Sequence, residues 1–233
     1  MMEKPEVYRE YFERLRRPEH RTVGEITPSY SMMDARGFAA IKTMMPSAKF
    51  IFILRDPLTR YMSQVRFRES QLPESGFRAS EEVLQHIYDR QYDLRTDYGR
   101  TLGELEQVVP RDDICVVFFE HLMAPEDDGV ELRRITDFLG IDYRPGDVGT
   151  RINAGMSVAF DQDEHRRIVQ RFARVYEYVF QRYAERVPES WRRSYELLGG
   201  ERSSFNRFFE DRFKGTLVPL INIGAGRLRR LLG

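Results

Sequence analysis

The chain has 233 residues, 41% of them hydrophobic, and its 37 basic and 37 acidic side chains cancel. That length supports one globular domain with a real core. The charge balance excludes a strongly basic, general nucleic-acid binder but leaves room for a local basic pocket.

A single cysteine, Cys115, excludes an internal disulfide. The histidines (His20, His86, His121 and His165) are scattered without metal-binding spacing. No apolar run reaches the roughly 18 residues of a membrane span. The N-terminal stretch MMEKPEVYREYFERLRRPEH is charged throughout, unlike a signal peptide. The expectation is a cytoplasmic protein with no metal, no nucleic-acid partner and no transmembrane segment.

In chain order, residues 3–17 place Tyr8, Tyr11, Phe12 and Leu15 at helical spacing before Pro18. Val23 to Ile26 is a candidate strand closed by Thr27-Pro28. Asp34 to Met45 predicts a helix with Asp34 as its N-cap. Lys49 to Leu54 (KFIFIL) is a compact apolar strand without alternation, which predicts burial on both faces. Asp56 and Pro57 then suit the cap and first position of a helix running to Glu69.

Residues 80–108 read as helical, in one or two pieces. Ile114 to Phe119 is a second buried strand, and Glu131 to Leu139 a helix closed by Gly140. Gly146 to Ser157 reads as a loop, and Glu164 to Arg186 as one long helix stopped at Pro188. Strands alternating with helices predict an α/β fold with a mainly parallel sheet flanked by helices. There is no internal repeat. Residues 1–200 form the expected domain. Residues 201–233, with Phe205, Phe208, Phe209 and Phe213 among basic side chains, form an expected amphipathic C-terminal arm.

The strand-to-helix junction at Arg55 is the strongest chemical signal. Ligands of open parallel sheets gather at strand carboxyl ends, and a helix N-terminus there offers N–H groups and a positive dipole to an anion. Arg55 adds a planar, permanent charge suited to phosphate. Ser63 follows eight residues after Arg55, on the helix face that carries the cap, so the two side chains can grip one phosphate together. The alternative is structural: Arg55 paired with Asp56, and Ser63 at a packing contact.

KFIFILRDPLTRYMSQ resembles the 3′-phosphate-binding segment of sulfotransferases that use 3′-phosphoadenosine 5′-phosphosulfate (PAPS). In that family an apolar strand ends in Arg-Asp/Asn-Pro, and a Ser follows eight residues after the Arg. The resemblance implies a P-loop-NTPase-like sulfotransferase fold, PAPS as co-substrate, and Arg55 and Ser63 as ligands of the 3′-phosphate. GEITPSY (Gly24 to Tyr30) resembles the Glu-Lys-Thr-Pro-x-Tyr stretch of the carbohydrate and heparan-sulfate type, in which the Glu is the base. Sulfuryl transfer needs such a group, because the acceptor loses a proton as the S–O bond forms. Glu25 is the candidate, expected at a strand end with its pKa raised by shielding. Ile26 stands where that family type has Lys.

Tyr98, ICVVFFEHL and ITDFLGI follow the family's order, with Glu120 read as structural and His121 as a half-buried, hydrogen-bonded residue. Arg151 and Asn153 fall where the family has a loop over the nucleotide, which implies a cofactor-binding role for Arg151. The resemblance covers about Val23 to Arg186. The family's Lys/Gly/Thr-rich 5′-phosphosulfate loop is not seen before Glu25, and residues 1–22 contain no glycine. A chain that starts late, a partner that supplies the loop, and an inactive protein are the three readings, with truncation preferred.

The expected function is transfer of a sulfuryl group from PAPS to a hydroxyl or amine acceptor, a small molecule or carbohydrate. An unpaired sheet edge leaves homo-oligomerisation open. The alternatives are an inactive or truncated interaction module of the same fold, and a P-loop-like nucleotide kinase. The kinase is disfavoured by the absence of GxxxxGK[ST].

Overall fold

A computed structural model of the chain describes residues 5–69, 90–124, 129–145 and 160–201. Two strands, β1 (Phe50–Leu54) and β2 (Ile114–Phe118), pair in parallel, with Phe50 opposite Ile114 and Leu54 opposite Phe118. The helices are α1 (Pro5–Leu15), α2 (Ala35–Met44), α3 (Pro57–Glu69), α4 (Arg90–Thr96), α5 (Tyr98–Glu106), α6 (Phe119–Leu122), α7 (Val130–Leu139), α8 (Gln162–Arg171), α9 (Ala173–Tyr183) and α10 (Glu189–Tyr195). This is an α/β architecture with a parallel sheet flanked by helices.

Local chemistry explains most helix ends. Asp34 accepts from the Gly37 amide (2.9 Å) at the start of α2, and Asp97 from the Arg100 amide (3.0 Å) at the start of α5. Asp161 and Glu164 form a reciprocal capping box on α8, both bonds 2.8 Å. Gly140 closes α7 with φ 68°, a conformation glycine adopts without a Cβ penalty.

The helices bury periodic stripes: Leu58, Tyr61 and Val65 on α3, and Tyr98, Leu102 and Leu105 on α5. The main core gathers at the carboxyl ends of the strands. There Leu54 and Phe118 meet Leu58, Tyr61, Ile168, Tyr176, Val179 and Trp191. A smaller cluster of Phe38, Leu105 and Val109 sits at the amino ends, against Phe50 and Ile114. Beside it, Lys42 reaches Asp113 at 2.8 Å and ties α2 to the entry of β2.

Three expectations fail. Residues 22–27 form no strand. β1 is not buried on both faces: Leu54 is buried and Phe52 packs edge-to-face on Tyr98, but Ile51 and Ile53 are 36% and 42% exposed. The described helices cover only one side of that strand. The expected long helix is broken at Phe172, which has φ −98° and ψ 13°, and α9 stops at Ala184, where φ is 43°. The residues 80–89, the 146–157 loop and the C-terminal arm of the sequence reading lie wholly or mainly outside the described residues.

Candidate functional site

β1 delivers Arg55 to the carboxyl end of the sheet, and Asp56-Pro57 starts α3 immediately afterwards. The guanidinium of Arg55 lies over the Phe119 ring, 4.6 Å from its centroid. The peptide unit that follows is held at both ends. Its carbonyl, that of Arg55, accepts from the Tyr98 hydroxyl at 2.6 Å, and its N–H, that of Asp56, donates to Glu120 Oε1 at 2.8 Å.

Asp56 is fully buried. Its carboxylate accepts from the Tyr176 hydroxyl, from Ser194 Oγ (2.7 Å) and from the Leu58 amide (3.2 Å). Glu120 Oε2 accepts from Trp191 Nε1 at 2.9 Å. Burial raises the Asp56 pKa above the usual carboxylate range, and the neighbouring charge of Glu120 adds to that, while the hydroxyl donors oppose it. Burial also pushes the Tyr98 and Tyr176 phenols upward, so both remain protonated donors.

This arrangement corrects one part of the sequence reading. The amides of Asp56 and Leu58 at the start of α3 are not free for an anion. Glu120 takes the first, and Asp56 Oδ1 and the Tyr176 hydroxyl (3.1 Å) take the second; Pro57 has no N–H. Two carboxylates also stand at this helix end, where they complement its dipole themselves. A phosphate at the junction therefore finds neither of these two amides open, and side chains must supply much of its grip. Arg55 is at hand, and Ser63, half-buried on α3, lies seven residues after Asp56, two turns along the same face. Asp56 spends its carboxylate on Tyr176 and Ser194, and Glu120 has the structural role expected of it. His121 is half-buried beside the Phe118 ring, 6.0 Å between centroids.

Glu25 sits differently. It is exposed, on an irregular stretch rather than at a strand end, and its carboxylate accepts from the Tyr30 hydroxyl. The shielding expected from a sheet is absent because no strand forms there. Ile26, in place of the family's Lys, is 91% exposed. The segment is anchored just downstream of Glu25. Arg100 donates to the carbonyls of Met33 (3.0 Å) and Ser31, and Thr101 Oγ1 donates to Ser31 O at 2.7 Å. Arg100 and Thr101 are on α5, the helix whose first residue, Tyr98, holds Arg55. One helix thus positions both candidate regions. Arg151 and Asn153 lie outside the described residues.

Tyr98 was legible only as part of a family order. Tyr176, Ser194 and Trp191 carried no sequence signal, since a buried Tyr or Trp reads as core wherever it falls. Among the described residues, no group of His, Cys, Asp and Glu is placed to hold a metal ion. No described helix is long and apolar enough to cross a membrane.

Comparison with known proteins bears on the family and the fold. No curated protein matches the chain. Among solved structures, a sulfotransferase from Alicyclobacillus acidocaldarius matches with a TM-score of 0.55 and 22% identity, over 82% of this chain and 75% of that one. This supports the α/β sulfotransferase fold drawn from the strands and helices above. The model of the sulfotransferase family matches residues 2–145, which hold β1, the Arg55 turn, Ser63, Glu25 and β2. With more than half of its length matched, and with the Arg55 turn and both strands inside the match, this chain belongs to the sulfotransferase family.

Proposed function

We propose that the protein transfers a sulfuryl group from PAPS to a hydroxyl or amine acceptor, a small molecule or carbohydrate. Arg55 and Ser63 bind the 3′-phosphate of the donor, and Arg151 assists at the nucleotide. Bound PAPS supplies an activated sulfuryl group whose leaving group is 3′-phosphoadenosine 5′-phosphate. Glu25 accepts the acceptor's proton as its oxygen or nitrogen bonds to sulfur and the bond from sulfur to the 5′-phosphate oxygen breaks. Because Glu25 is exposed in the protein alone, the acceptor itself must exclude water around it. Ile26 supplies no charge, so stabilisation of the departing phosphate comes from other cations.

The observation that carries this reading is the placement of Arg55, at the carboxyl end of a parallel strand with Ser63 two turns along α3, in a chain of the sulfotransferase family. The supporting experiment is a thermal-shift titration. 3′-Phosphoadenosine 5′-phosphate should stabilise the protein more than adenosine 5′-monophosphate or Mg·ATP does. Arg55→Ala should weaken its binding by about 10- to 100-fold, the worth of a charged hydrogen-bonding group. Sulfate transfer should fall at least about 100-fold in Glu25→Gln. Undiminished transfer in that variant would remove Glu25 from the mechanism. Equal stabilisation by Mg·ATP would point to a nucleotide kinase instead.

A further inference from the structure

The family match ends at residue 145, yet the turn that carries Arg55 is completed by side chains beyond it. Tyr176 on α9 donates to Asp56 and accepts from the Leu58 amide at 3.1 Å. Ser194 on α10 donates to the other Asp56 oxygen at 2.7 Å. Trp191, also on α10 and fully buried, donates to Glu120 at 2.9 Å, and the other Glu120 oxygen receives the Asp56 amide.

A buried carboxylate persists only where donors satisfy it, and those donors then dictate where it sits. Here they dictate more than the carboxylate. The peptide unit between Arg55 and Asp56 is gripped at its oxygen by Tyr98 and at its nitrogen by Glu120. Fixing that plane fixes the backbone torsion that aims the Arg55 side chain. Trp191 sets Glu120, and Tyr176 with Ser194 sets Asp56 on the far side of the same unit.

We infer that Tyr176, Trp191 and Ser194 are positioning residues of the nucleotide site. They aim Arg55 at the 3′-phosphate, and so set the selectivity for nucleotides that carry that group. The inference rests on the reading of Arg55 as the 3′-phosphate ligand. It predicts a signature that general destabilisation does not produce. Misaiming Arg55 weakens contact with the 3′-phosphate alone and leaves the rest of the nucleotide's contacts intact.

The test is calorimetric titration of the full chain with 3′-phosphoadenosine 5′-phosphate and with adenosine 5′-monophosphate. The ratio of the two affinities is the readout. Trp191→Phe and Ser194→Ala should each cut that ratio about tenfold, through loss of roughly one hydrogen bond's worth of preorganisation, with adenosine 5′-monophosphate bound as before. Ser194→Ala removes a single oxygen and keeps the fold measurable if Trp191→Phe does not. Phe38→Leu, in the separate small cluster at the other end of the strands, should lower stability and leave the ratio unchanged. An unchanged ratio in folded Ser194→Ala and Trp191→Phe, with Arg55→Ala still abolishing the preference, overturns the positioning role and spares the reading of Arg55. A wild-type protein with no preference for the 3′-phosphate, or one whose preference survives Arg55→Ala, overturns both.

Discussion

The turn at Arg55 and the segment at Glu25 belong to one proposed site but are built in opposite ways. The turn is walled into the main core: Asp56 is fully buried, its polar atoms are matched by Tyr176, Ser194 and Leu58, and its peptide unit is held by Tyr98 and Glu120. The Glu25 segment lies on the surface with irregular backbone, held just downstream by Arg100 and Thr101. The difference teaches where preorganisation is placed. A group that must hold a phosphate in the ground state gains from being fixed in advance. A base that meets an acceptor can be left open and be desolvated only when that acceptor arrives.

The sharpest way to break this comparison is to remove the buried carboxylate. Asp56→Ala strands the Tyr176 and Ser194 hydroxyls and one acceptor of the Leu58 amide in the core, and should cost about 3 kcal/mol of unfolding free energy. Asp56→Asn keeps an acceptor for Tyr176, and its amide can donate to Ser194 Oγ, so it should cost far less. The pair also carries a pH signature. The folded-state pKa of Asp56 is raised, so the folded protein binds this proton more readily than the unfolded chain does. The contribution of this group to stability therefore rises as pH falls from neutrality through the raised value. It levels off below the ordinary carboxylate value of 3.8. Denaturation curves of wild type and Asp56→Asn at several pH values should draw apart in favour of wild type on acidification. Parallel curves would mean that the carboxylate is not buried as described.

A smaller effect is expected at the anchor of the other segment. Arg100→Ala removes the charged donor to two carbonyls, those of Met33 and Ser31, and should cost about 1–2 kcal/mol. Its larger consequence should fall on transfer rather than on nucleotide affinity, because it loosens the Glu25 segment while Tyr98 still holds Arg55. A drop in 3′-phosphoadenosine 5′-phosphate affinity matching the drop in turnover would show that the two regions are not separable. The smallest effect on stability is expected from Tyr30→Phe, which removes the exposed hydroxyl that donates to Glu25. Unfolding free energy should move by under about 0.5 kcal/mol, while turnover falls if Glu25, freed from this hydrogen bond, is held less well for the acceptor.

What could be read in advance follows from how far each determinant reaches along the chain. Asp34 and Gly140 act on amides and carbonyls within a few residues, so the ends of α2 and α7 were open to local reading. The break at Phe172 was not. Ile168, Val169, Phe172, Val175, Tyr176 and Val179 keep an unbroken helical stripe into the core, so periodicity runs straight through the interruption. The apolar run of β1 announced a strand, but not that the described helices would pack on only one of its faces, because that depends on which helices arrive.

The sequence by itself determined the two strands, the capped helices and the Arg55–Asp56–Pro57 junction, since each depends on side chains and backbone groups that are neighbours along the chain. Only the tertiary structure decided that the Asp56 and Leu58 amides are already taken, and that Glu25 is exposed on an irregular stretch. The partners of Asp56 arrive from 64, 120 and 138 residues away, and no local pattern marks a tyrosine, a serine or a glutamate for a contact made across such a distance. Folding brings them together because the core stripes of α3, α9 and α10 must be buried against one another, and the polar groups carried inward with them must find each other there.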